Sequence, residues 1–161
     1  MKRILSAAIS CGVLGVAVMS APPLRAQDAS VAQRLETAGM KYEVDGDGDF
    51  KVTYSYSTEG RTQLVFVSGT TEIVSGLTIR EVFAPAALID KDAIDGAKAL
   101  QLMRDSGQSK LGSWEIRGNI LYFVIKVFDQ ITASELEAAM DIAAEVADDK
   151  EIELTSGRDD Y

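Results

Sequence analysis

The chain has 161 residues, no histidine and one cysteine, Cys11, so Ser-His-Asp and Cys-His catalysis, His or Cys zinc sites and a disulfide framework are all excluded. Sixteen basic residues stand against 25 acidic ones, a net charge of −9, which argues against nucleic acid and anionic membrane surfaces as partners. The length suits one domain.

The first residues have the layout of a secretory leader: Lys2 and Arg3, then an apolar run from Ile4 to Ala21 rich in small residues, then Leu24-Arg25-Ala26 before Gln27. Residues 1–26 are expected to be a signal peptide cleaved after Ala26, which makes the protein periplasmic or secreted. The run is at the threshold of a membrane span and is broken by Ser6, Ser10, Gly12, Gly15 and Ser20. Cleavage leaves 135 residues with 13 basic and 25 acidic side chains, a charge of −12, and no cysteine. A domain over 27–154 and a flexible tail over 155–161 follow.

Ser30-Val-Ala-Gln33 has capping-box spacing, so a helix is expected from Val31, with Val31, Leu35 and Ala38 apolar and Gly39 as its stop. Tyr42–Val44 reads as a short strand. In Phe50–Ser57, apolar Phe50, Val52, Tyr54 and Tyr56 alternate with polar residues, the mark of a half-buried strand. Leu64–Val67 is apolar throughout, and Leu77–Phe83 is a further strand that Pro85 is expected to end. Asp92–Ser106 is the middle helix, with Ile94, Ala97 and Leu100 to Met103 on one side. Leu111–Arg117 and Ile120–Phe128, joined by Gly118-Asn119, form a hairpin. Ser134-Glu-Leu-Glu137 is a second capping box, opening a last helix that runs to about Asp149.

The elements run α-β-β-β-α-β-β-α, an α+β fold with an antiparallel sheet and helices on one face. That order, Gly39-Met-Lys-Tyr-Glu-Val44 with the acidic turn after it, the hairpin Trp114–Phe128, and Phe128-Asp-Gln-Ile-Thr-Ala-Ser-Glu-Leu136 entering the last helix together resemble the YbjN family of bacterial sensory-transduction regulators. The resemblance implies a fold like that of type III secretion chaperones and a role in regulation or protein holding. It carries no catalytic signature.

Asp45-Gly-Asp-Gly-Asp49 is the one local motif with chemistry in it. Alternate carboxylates open a calcium loop, but Phe50 stands where that loop needs glycine and Tyr56 where it needs a bidentate glutamate. A hairpin tip is therefore expected, with Asp45, Asp47 and Asp49 as the alternative metal ligands. Asp90, Asp92 and Asp95 suit the N-terminus of the middle helix. Glu135, Glu137, Asp141 and Glu145 suit the wet face of the last one.

Strand alternation sets Leu121, Phe123, Ile125 and Val127 under the helices and Tyr122, Val124 and Lys126 on the other face. That face needs a cover, so Tyr122 and Lys126, with Trp114 or Ile116 beside them, are the candidate partner-binding residues. The sequence thus reads as a non-enzymatic exported binding module for a protein or peptide, or for a second copy in a homodimer. It implies no cofactor, no nucleic acid and no membrane once the leader is gone. The alternatives are a small carboxylate-dependent envelope hydrolase and a calcium-responsive structural protein.

Overall fold

The structure, a computed structural model, describes residues 29–161; the leader and the cleavage point after Ala26 lie outside them. Along the chain come α1 (Ala29–Thr37), β1 (Glu43–Val44), β2 (Phe50–Tyr56), β3 (Arg61–Val67), β4 (Glu72–Val74), β5 (Leu77–Leu88), α2 (Gly96–Gln108), β6 (Ser113–Arg117), β7 (Ile120–Phe128) and α3 (Ala133–Thr155). One antiparallel sheet holds all seven strands in the order β1-β2-β3-β5-β7-β6, and β4 pairs with β5 beyond the end of β3. The fold is α+β, with β1 and β4 as short additions to the five long strands. Among the described residues no helix is long and apolar enough to cross a membrane.

Register explains the layers. Val52 lies opposite Val65, Phe50 opposite Val67, Val67 opposite Val82, Val82 opposite Ile125 and Ala84 opposite Phe123, so these side chains share one face. All of them are buried. Above them sit Val31 and Leu35 of α1, Leu102 of α2, and Leu136, Ala139, Met140, Ala143, Ala144 and Ala147 of α3. The run of alanines lets α3 lie close over β5 and β3, and each large side chain so buried contributes about 2 kcal/mol. Thr132 caps α3, and the capping box it forms with Glu135 begins two residues before the one expected at Ser134.

Other expectations are corrected. Pro85 does not end a strand; it sits inside β5 at a bulge between Pro85 and Ala87. The β3 ladder has already stopped at Phe83, and the buried Gln63 amide donates to the Pro85 carbonyl (2.8 Å) in its place. The middle helix starts later than Asp92, because Asp95 is its N-cap, while Asp92 accepts from the Leu88 amide. Leu100 and Met103 are exposed, so only part of the anticipated apolar side of α2 is buried.

The tail residues bond to the domain. Arg158 pairs with Asp92, Asp160 with Lys91 (2.8 Å), and the Thr62 amide donates to Asp159 (3.2 Å). Arg61 of β3, itself clamped between Asp148 (2.8 Å) and the fully buried Glu151 (2.7 Å), donates to the carbonyl of Arg158 (2.9 Å). Burial pushes the Glu151 carboxyl up, against the Asp160 amide and Arg61, which pull it down.

The acidic turn is a folded loop. The Asp45 carboxylate accepts from the amides of Asp47 (2.9 Å) and Asp49 (3.0 Å), and Asp49 accepts from the Gly69 amide (2.8 Å). A Cβ on Gly69 would lie 1.9 Å from the Gly48 carbonyl oxygen, so only glycine permits this contact between loops. Asp45 and Asp49 thus hold backbone amides, and no three carboxylates converge on a metal position among the described residues.

Candidate binding surface

Among the described residues no helix packs on the opposite face of the sheet. Alternation brings Phe66, Glu81, Phe83, Tyr122, Val124, Lys126, Glu115 and Arg117 there, because Phe66 opposes Phe83, Phe83 opposes Val124, Glu81 opposes Lys126 and Glu115 opposes Tyr122. Phe66 and Phe83 stack (5.2 Å between centroids, 8° between planes), and Tyr122 meets Phe83 edge-on (5.7 Å, 82°). The Arg117 guanidinium lies over the Phe83 ring at 5.5 Å. Val124, beneath this cluster, is buried.

Charges frame the aromatics. Arg117 bonds Glu81 (2.9 Å) and Glu115 (2.8 Å), and Lys126 bonds Glu115 and lies 3.8 Å from Glu81. Burial favours a neutral Glu115, but the bonds from Lys126 and Arg117 outweigh it and hold its carboxyl below the ordinary value. Burial raises the Tyr122 phenol, and Arg117 opposes the rise. The result is a flat, half-dry patch in which every charge is matched.

Of the candidate partner-binding residues, Tyr122 and Lys126 stand on this open face. Trp114 and Ile116 do not. The two-residue turn Gly118-Asn119 sets Trp114 opposite Phe123 and Ile116 opposite Leu121, so both lie on the helix side; the Trp114 and Phe123 rings meet at 5.1 Å. Glu115 and Arg117 are the true neighbours of Tyr122 and Lys126. The turn length alone fixes this register, so the sequence carried the signal.

The open face continues past β3 onto the β4–β5 hairpin, which the sequence reading missed. There Val74 (54% exposed), Leu77 (52%), Ile79 and Phe128 (57%) form an apolar corner. Val74, Leu77 and Ile79 wall a cavity of about 380 Å³ whose polar rim holds Glu72, Glu81 and Lys126. The signal was Ser75-Gly76, a hairpin dipeptide between Ile73-Val74 and Leu77.

A second hollow of about 380 Å³ lies between β2 and α3, lined by Tyr54, Tyr56, Asp141, Glu145, Asp148 and Asp149. It is where a carboxylate-dependent hydrolase would work. Tyr54 donates to Asp141 (2.8 Å) and Arg61 engages Asp148, so two of its acids are already committed. Burial pushes the Tyr54 phenol far above its ordinary value and Tyr56 up to about 12, with the nearby carboxylates adding to both. Neither phenol serves as a base at neutral pH.

Neither the family models nor the curated proteins compared with this chain give a match.

Proposed function

We propose that the chain is an exported, non-enzymatic binding module, YbjN-like and built on the layout of type III secretion chaperones, that holds a protein or peptide partner on its uncovered sheet face in the bacterial envelope. The observation that carries this reading is the asymmetry of the sheet: one face is sealed by three helices, and the other presents Phe66, Phe83, Tyr122 and the apolar corner at Phe128. A contiguous apolar patch on a sheet marks an interaction surface. With no other partner present, a second copy covers the same face and gives a homodimer. The YbjN resemblance and export with cleavage after Ala26 rest on the sequence.

The experiment is a parallel capture. Mature protein and its Tyr122→Asp variant, both immobilised after their circular dichroism spectra are matched, are exposed to native envelope extract. The reading expects one protein retained by the first and lost by the second. Equal retention by both would remove the open face from the account.

A further inference from the structure

We propose that the free edge of β4 accepts a partner segment as an added β-strand, and that this segment is extended, apolar and basic. The inference rests on the reading of the domain as a binding module and names the corner and the chemistry of the partner.

Ser75 and Gly76, with φ of 51° and 85°, make the two-residue turn of the β4–β5 hairpin. Positive φ at both positions is a type I′ turn, whose flanking residues, here Val74 and Leu77, are the hydrogen-bonded pair. Pairs alternate along an antiparallel ladder, so Ile73 opposite Thr78 is non-hydrogen-bonded, and the Ile73 N–H and C=O point away from β5. Among the described residues no strand pairs with that edge. The Ile73 side chain is 76% exposed.

Sheet edges are normally guarded by lysine, proline, a bulge or a covering element. The β6 edge follows this rule, since Ser106 of α2 takes the Trp114 amide (2.9 Å). Among the described residues the β4 edge carries no lysine, proline or bulge and no strand pairs with it; only its three-residue length and the charge of Glu72 guard it. An added strand would lie beside Glu72 and Val74, and one of its apolar side chains would reach the cavity walled by Val74, Leu77 and Ile79. Charge selects the occupant. Glu72 is exposed and makes no ion pair among the described residues, whereas Lys126 on the opposite rim is already held by Glu115 and Glu81. The mature chain carries a charge of −12, so a segment carrying lysine or arginine is attracted to this corner.

The test uses the mature chain and a short peptide alternating valine and lysine, blocked at both ends. Two controls accompany it: the same peptide with glutamate for lysine, and the lysine peptide N-methylated along its backbone, which keeps the charge but cannot pair as a strand. Calorimetry should show saturable binding of the first peptide and at least about tenfold weaker binding of both controls. Ile73→Pro, which removes only an outward N–H, and Glu72→Lys should each weaken it about tenfold without moving the melting temperature. Undiminished binding to Glu72→Lys and Ile73→Pro, or equal binding of the N-methylated peptide, overturns the proposal; loss in Tyr122→Asp alone would then leave the wider binding-module reading standing. No binding by any peptide, or a self-association that Ile73→Pro abolishes, also overturns it, the latter by naming a second copy as the occupant.

Discussion

The two faces of one sheet solve different problems with the same strands. On the helix side Phe50, Val65, Val82, Phe123 and Ile125 are sealed, and the charges there are paired: Arg80 with Asp129 (2.6 Å) and the Ser68 carbonyl, and Arg61 with Asp148 and Glu151 of α3. On the open side the aromatics stay half-exposed, and the charges of Glu81, Glu115, Arg117 and Lys126 cancel one another in reach of water. Burial makes the first face intolerant of change, whereas exposure lets the second be altered without loss of fold. A surface that can vary freely is where recognition can be placed.

Substitutions measure that contrast. Phe123→Asp buries a carboxylate among α2, α3 and Trp114 and should unfold the domain, a loss of more than about 4 kcal/mol read by circular dichroism. Arg80→Met removes the buried cation that joins Asp129 to the β3–β4 loop and should cost about 3 kcal/mol in a denaturant titration. Thr132→Ala takes the cap from α3 and should cost about 1 kcal/mol.

The same cap predicts a pH effect. The Thr132 amide and hydroxyl both bond the Glu135 carboxylate and lower its pKa. The folded value lies below the unfolded one, so this contribution is present above the unfolded carboxylate range and fades as pH falls through the folded value. Glu135→Gln should flatten that part of the stability profile in acid melts. Lys126→Ala, on the open side, should change stability by less than about 0.5 kcal/mol. A cost equal to that of Arg80→Met would erase the contrast.

The sequence was most legible where period and burial agree. The alternation in Phe50–Tyr56 and Leu121–Val127 placed both strands and assigned the faces of Phe123 and Tyr122. It was misleading where a long-range contact outranks the local signal. Pro85 reads as a stop, yet a bulge and the Gln63 amide carry the strand through it. The contacts of Arg61, Asp92 and Lys91 with the polar tail join residues distant in sequence and were not legible in it. Asp148 and Glu151 could not be picked out as buried acids, because only the fold brings Arg61 to them. Trp114 and Ile116 lie on the helix side for a different reason: the two-residue turn sets them opposite Phe123 and Leu121.

The central claim is that the open face is the binding surface, and one sedimentation experiment tests it most directly. Mature protein, Tyr122→Asp and Lys126→Ala are run over a concentration series with the captured partner, and with the protein alone if no partner is retained. The account expects Tyr122→Asp to keep its circular dichroism spectrum while its association weakens at least about tenfold, with Lys126→Ala showing a smaller loss in the same direction. Association unchanged in Tyr122→Asp, with the fold intact, would contradict it.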